Sequence, residues 1–109
     1  MELEPSGIGS MLDVTISLER GCLLRGGRDI RLRAKTFQVL VFLHEHHGRL
    51  VAKEDLFRAV WPDTFVSDDS LTKCVREIRD ALGDHDRQLL KTVTRRGFIL
   101  DAPLVASAG

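Results

Sequence analysis

Apolar residues recur along this chain with two different spacings, which separate predicted strands from predicted helices. Residues 13–18 alternate apolar and polar side chains, the pattern of a strand with one buried face. Residues 22–25 and 29–32 are two further predicted strands, and Gly26 and Gly27 between them are a strong signal for a hairpin. The chain is therefore predicted to begin with a small antiparallel sheet.

Two helices are predicted after this sheet. The first covers residues 34–47 and ends at Gly48, and the second covers residues 53–60 and ends at Trp61 and Pro62. Apolar residues occupy most of the circumference of the first helix, so it should be buried on more than one side. Its main apolar stripe is predicted to consist of Phe37, Leu40, Val41 and His44.

A third helix, residues 67–82, is clearly amphipathic. Ser67 is its predicted N-cap, Asp68 and Asp69 fall in the first turn where carboxylates favour the helix dipole, and Gly83 is predicted to end it. Its apolar stripe, at helical spacing, consists of Leu71, Val75, Ile78 and Leu82. The opposite side carries Asp69, Lys73, Arg76 and Asp80.

A basic hairpin follows the third helix. Its first strand is predicted at residues 89–93, and the turn of residues 94–97 carries Arg95 and Arg96. On the helix alone, a surface helix with a solvated charged face and a DNA-binding helix are equally favoured. The hairpin favours DNA, because such a helix fits the major groove while an arginine-bearing hairpin reaches the neighbouring backbone or minor groove.

The charge is distributed unevenly along the chain, although the formal net charge is zero. Residues 71–99 contain seven Lys/Arg against four Asp/Glu, whereas residues 1–19 contain four acidic residues and no basic one. Such asymmetry can create one basic face on a neutral protein.

A length of 109 residues predicts a single small domain. We expect residues 1–10 to be a flexible leader, residues 11–102 to form the folded domain, and residues 103–109 to be a tail or the start of a linker. No apolar run is long enough to span a membrane and no signal peptide is present, so a cytoplasmic setting is expected, with no membrane contact by this domain itself.

Enzymatic and metal-binding chemistry is not supported by the sequence. His44, His46 and His47 lack the spacing of a metal site, and His44 is interpreted as a core histidine with satisfied hydrogen bonds. Cys22 and Cys74 form neither a disulfide framework nor a metal-ligand pattern. Because no Gly-rich phosphate loop is present either, we expect no catalysis, no cofactor and no metal.

Several segments between residues 22 and 100 together resemble a known family. They are Leu32 with residues 37–40, then residues 48–56, 60–61, 69–71, 75–82, 91–93 and 97–98. Their order and spacing resemble the winged-helix DNA-binding domain of OmpR/PhoB-type response regulators of two-component systems, which also occurs in CadC-like activators. The resemblance implies an α+β fold, a winged helix-turn-helix with an N-terminal antiparallel sheet, three helices and a C-terminal β-hairpin wing.

The resemblance also implies a function, that of the output domain of a bacterial transcriptional regulator. Such a domain binds specific double-stranded DNA sequences, with recognition helix 67–82 in the major groove and wing 92–98 on the backbone or minor groove. The implied residues at the groove are Ser70, Thr72, Lys73, Arg76 and Glu77, with Arg79 reaching a phosphate. The implied residues of the wing and its base are Thr92, Thr94, Arg95, Arg96 and Phe98.

The chain departs from the family pattern at several positions. Phe98 replaces the usual tyrosine after the wing glycine, and Thr94 stands where an arginine is usual. Arg33 and Ala52 occupy positions where the family often has Ser or Thr helix caps. The loop of residues 62–66 corresponds to one that contacts RNA polymerase in some members, and members often bind tandem sites as homodimers.

A second interpretation is a winged-helix protein-interaction module with little DNA affinity. The zero net charge, the acidic leader, and Glu77 and Asp80 on the outer face of the third helix favour it. The two interpretations differ in the salt dependence of binding to duplex DNA.

Overall fold

The computed structural model describes residues 14–26, 28–84 and 87–101, together with the backbone of residues 105–107. The strands are β1 (Val14–Ser17), β2 (Cys22–Arg25), β3 (Arg28–Arg31), β4 (Val51–Ala52), β5 (Leu90–Val93), β6 (Gly97–Leu100) and β7 (Val105–Ser107). The helices are α1 (Ala34–Glu45), α2 (Lys53–Val60) and α3 (Asp68–Leu82). This order confirms the predicted α+β winged helix-turn-helix.

The N-terminal sheet has the strand order β3-β2-β1-β7. Strands β1, β2 and β3 are antiparallel neighbours, and Gly26 turns the chain between β2 and β3 with a φ of +57°. Strand β7 pairs in parallel with β1. The structure thus differs from the prediction of a tail beginning at residue 103, because the sheet takes up residues 105–107. The predicted leader, residues 1–10, lies outside the described residues.

Helix α1 buries a different face from the one predicted. Its buried side chains are Thr36, Val39, Leu40 and Leu43, whereas Phe37, Val41 and His44 are only half-buried. The apolar residues surround the helix, and its packing against α3, α2 and β6 decides which of them are covered. The interpretation of His44 was wrong, because its buried Nδ1 has no hydrogen-bond partner among the described residues.

The wing is the outer part of a three-stranded sheet with the order β4-β6-β5. Gly97 at the start of β6 lies so close to β4 that a Cβ atom there would be 1.9 Å from the carbonyl oxygen of Val51. The turn is closed by the Arg96 N–H, which donates to the Val93 carbonyl at 2.9 Å. Arg95 adopts a φ of +65° in this turn.

One hydrophobic core joins both sheets to the three helices. Its fully buried large side chains include Ile16, Leu23, Leu40, Leu43, Leu56, Leu71, Ile78, Leu90 and Leu100. Because α3 contributes its whole apolar stripe to this core, its opposite side faces outward next to the wing.

Candidate nucleic-acid interface

Helix α3 begins and ends where its local sequence predicts. Ser67 has the extended backbone of an N-cap, although its side chain makes no capping hydrogen bond. Gly83 ends the helix in the left-handed conformation, with a φ of +70°. The side chain of Arg25 supports this end from the N-terminal sheet, because its Nη1 donates to the Ala81 carbonyl at 3.3 Å.

The two sides of α3 differ as the apolar spacing predicts. The predicted stripe of Leu71, Val75, Ile78 and Leu82 is buried, together with Cys74 and Ala81. On the other side Thr72, Lys73 and Arg76 are exposed and Ser70 is half-buried. This outer side is therefore open to a ligand.

Three predicted DNA-binding arginines are exposed, namely Arg76 on α3 and Arg95 and Arg96 in the wing turn. Within the described ranges, their guanidinium groups form no hydrogen bond or ion pair. An unpaired guanidinium presents five N–H donors and a permanent positive charge. These three groups are thus available to bind acceptor groups or anions.

A groove of about 440 Å³ separates α3 from the wing. Thr72 and Arg79 line it from α3, and Thr92, Thr94 and Arg95 line it from the hairpin. The fold therefore brings together these residues, which are up to 23 positions apart in the sequence, as Thr72 and Arg95 are. Phe98 lines it as well, so six of the residues implied for the interface share this one concave surface.

Arg79 connects α3 to the wing. Its Nε and Nη2 donate to the Leu90 carbonyl at 3.0 and 2.8 Å, and Nη2 also donates to Thr92 Oγ1 at 2.9 Å. Burial lowers the pKa of Arg79 from its ordinary value, and the nearby positive charge of Arg87 lowers it further. The sequence predicted a phosphate contact here, whereas the structure uses this guanidinium to hold strand β5 against the helix.

Glu77 is likewise bound within the protein. Its Oε1 accepts hydrogen bonds from Thr36 Oγ1 at 2.5 Å and Arg33 Nε at 3.1 Å, and its Oε2 pairs with Arg33 Nη2 at 3.0 Å. The Thr36 hydrogen bond is the main reason why the pKa of Glu77 lies below its ordinary value, with Arg33 and Lys73 adding to the effect. Predicted to face the groove, this carboxylate instead faces the start of α1.

Asp84 is a structural residue that the sequence reasoning missed. Its buried carboxylate accepts backbone N–H groups from Gln88, Leu89 and Leu90 at 2.7–3.1 Å. These bonds shape the loop between α3 and β5. The available signal was an aspartate directly after the helix-ending Gly83, a position that suits side-chain bonds to the following backbone.

Comparison with known proteins identifies the family. Residues 27–100 match the family described as "Transcriptional regulatory protein, C terminal". The transcriptional regulator HilA of Salmonella typhi is 34% identical over 86 residues, which are 78% of this chain and 16% of HilA. The chain thus spans about a sixth of the length of that relative.

Solved structures agree with this family. The DNA-binding domain of E. coli CadC is 29% identical and superposes with a TM-score of 0.67 over 76% of this chain and 80% of that one. The Klebsiella pneumoniae RstA DNA-binding domain was solved in complex with the RstA box. It superposes with a TM-score of 0.70 over 82% of this chain and 91% of that one, and it shares the fold at 23% identity.

Two further observations bear on the kind of protein. In the part of the chain that the structure describes, no helix has the length and apolar character needed to cross a membrane. The matched family is a class of DNA-binding regulator domains and not a class of enzymes. The chain belongs to the transcriptional regulatory protein C-terminal family, the OmpR/PhoB-type winged-helix DNA-binding domains.

Proposed function

We propose that this domain binds specific double-stranded DNA sequences as the output domain of a bacterial transcriptional regulator, with α3 in the major groove and the wing on the backbone or minor groove. The observation that carries the proposal is the exposure of Arg76, Arg95 and Arg96 without partners in the described residues. DNA supplies both ligands that such groups bind, base edges and phosphates.

Each exposed side chain suits a particular part of the duplex. Arg76, at the middle of α3, has the planar fork that binds guanine O6 and N7 in the major groove. Ser70, Thr72 and Lys73 supply hydroxyl and ammonium donors for phosphates along the walls of the groove. Arg95 and Arg96 protrude from the wing turn, where they would enter a minor groove or pair with its phosphates.

The relatives support DNA as the ligand. The matched part of CadC is described as a DNA-binding domain, and RstA was solved with the RstA box. DNA in a bacterium lies in the cytoplasm, so we infer a cytoplasmic setting for this domain. We further propose that residues 11–102, extended by β7, form the binding unit.

RNA polymerase is a proposed second partner, through the loop of residues 62–66. Phe65 in this loop is fully exposed, and it lines a cleft with the half-buried rings of Phe57 and Trp61. An exposed aromatic beside a partly apolar cleft is typical of a protein-interaction site. We also propose that two copies bind tandem DNA sites as a homodimer.

The alternative, a protein-interaction module with little DNA affinity, is favoured by the zero net charge, the acidic leader and the exposed Asp80. Glu77 no longer supports it, because its carboxylate is engaged by Arg33 and Thr36.

The proposal is tested by selecting bound sites from a random duplex pool and then measuring affinity against salt. We expect one enriched motif, and an association constant for random duplex that falls steeply as salt rises. An interaction module would enrich no motif, and it would bind random duplex weakly at every salt concentration. The absence of an enriched motif, or weak binding at every salt concentration, would refute the proposal.

A further inference from the structure

The loop between α3 and β5 holds an exposed arginine, Arg87, in an unusual backbone conformation. Its φ is +57°, a region that residues with a Cβ atom seldom adopt. Its guanidinium forms no hydrogen bond or ion pair with any residue in the described ranges. An exposed guanidinium without an internal partner is available to a ligand outside the protein.

Hydrogen bonds to the Asp84 carboxylate hold this loop in place. The carboxylate accepts the N–H groups of Gln88, Leu89 and Leu90, the three residues directly after Arg87. The Arg87 N–H itself lies 3.3 Å from the Asp84 carbonyl, to which it donates. The position of Arg87 is therefore determined by buried hydrogen bonds and not by its own side chain.

Arg87 lines two clefts that meet beside α3. One is the groove between α3 and the wing, and the other, of about 240 Å³, is also lined by Arg76 and Asp80. Thr72 and Arg79 line both. Arg87 therefore lies between Arg76, which we propose to contact a base, and the groove between α3 and the wing.

The charges around this position favour an anion. Arg87 is close enough to Arg79 to lower its pKa, and the Asp84 carboxylate acts on Arg79 in the opposite direction. The Asp84 carboxylate is occupied by backbone N–H groups, and Asp80 forms no ion pair with a described residue. Three arginines against two aspartates line the smaller cleft, so its lining keeps a net positive charge.

We propose that Arg87 is a DNA-backbone contact, binding a phosphate of the strand that passes between α3 and the wing. This inference rests on the proposed function, and it adds a residue that neither the helix pattern nor the wing pattern predicts. A backbone phosphate, and not free phosphate, is the ligand we assign, because the site continues into a groove lined by hydroxyls and arginines.

The test compares Arg87→Ala, Arg87→Lys and the control Arg58→Ala on the selected duplex. Arg58 is an exposed arginine of α2 that lines neither cleft, so its variant removes the same charge elsewhere. For Arg87→Ala we expect about tenfold weaker binding and a plot of log association constant against log salt that is shallower by about one unit. Arg87→Lys should keep most of the parent slope, and Arg58→Ala should match the parent.

Alanine keeps a Cβ atom at this positive φ, so the unfolding midpoint of Arg87→Ala should equal that of the parent. A parent-like slope and affinity for Arg87→Ala, while Arg76→Ala weakens binding, would overturn this inference and leave the proposed function intact. A parent protein without salt-dependent DNA binding would overturn the proposed function itself. The Arg87 side-chain NMR signal is also followed on titration with inorganic phosphate and with duplex. If inorganic phosphate shifts it as strongly as the duplex does, Arg87 binds free anions, which would contradict the backbone contact.

Discussion

The charged residues of α3 fall into two groups by what their side chains contact. Glu77 and Arg79 bind other parts of the protein, and they join α3 to the start of α1 and to strand β5. Lys73 and Arg76 are exposed on the same helix. The first pair sets the orientation of the helix, and the second pair is left for a ligand.

Arg76→Ala and Arg96→Ala should weaken DNA binding in different ways. We expect Arg76→Ala to relax the preference for one base pair by about 1–3 kcal/mol, because it removes a bidentate base contact. Arg96→Ala should weaken binding evenly across sequences and make the salt dependence shallower by about one unit, because it removes a phosphate contact. A gel-shift titration over site variants measures both, and the assigned roles fail if neither variant differs from the parent.

The Glu77 carboxylate should make the stability of the protein depend on pH in the acid range. Its pKa in the folded protein lies below the ordinary value of 4.5, so the stabilisation is complete above that pH and is lost as the pH falls through the folded pKa. Glu77→Gln should therefore be less stable than the parent at neutral pH, with the difference shrinking as the pH falls below 4.5.

Urea unfolding at several pH values measures this difference. Glu19→Gln is the control, because Glu19 is exposed and has no hydrogen bond or ion pair among the described residues. A difference between Glu77→Gln and the parent that stays constant from neutral to acid pH would contradict the role of the charged carboxylate.

At the scale of elements, the hairpin depends on the close approach of β6 to β4. Gly97 has room for a hydrogen only, since a Cβ atom would lie 1.9 Å from the Val51 carbonyl oxygen and 2.8 Å from its carbon. These neighbours are backbone atoms, which cannot rotate away as a side chain can. The wing is therefore attached to the body of the domain through this glycine.

Gly97→Ala should destabilise the fold by about 3 kcal/mol, because β4 and β6 must separate to admit the methyl group. The matched control is Gly48→Ala, where φ is +81° but no atom lies within 4 Å of the added Cβ, so only about 1 kcal/mol of backbone strain is expected. Denaturant unfolding compares the two variants. Equal losses would show that the contact with Val51 is unimportant.

Sequence patterns predicted those features of the elements that local interactions determine. The ends of α3 depend on Ser67 and Gly83, and its buried stripe depends on spacing, so both were predicted correctly. The buried face of α1 was not predicted correctly. Apolar residues surround this helix, and only the elements packed against it decide which of them are covered. The pairing of β7 with β1 joins distant parts of the chain, and no local pattern indicates it.

The candidate site was predictable to a similar degree. Exposure of Arg76, Arg95 and Arg96 follows from helix periodicity and turn chemistry. The partners of Glu77 and Arg79 do not follow from local patterns. Arg33 is 44 positions from Glu77, and Leu90 is 11 positions from Arg79. Which charges a protein neutralises internally depends on tertiary distances.

At the scale of the whole molecule, zero net charge coexists with a basic surface. Ion pairs such as Arg20 with Asp29 and Lys91 with Asp101 neutralise charge away from the outer face of α3. Arg76 and the wing arginines keep their charge unpaired among the described residues. Local charge, and not the total, determines where a polyanion binds.

The most direct test of the interface is a map of amide chemical-shift changes on titration of the intact chain with the selected duplex. The largest changes should fall on the outer side of α3 from Ser70 to Arg76, on the wing from Thr92 to Arg96, and on Arg87. Changes confined to the N-terminal sheet or to the loop of residues 62–66, with α3 and the wing unaffected, would contradict the account.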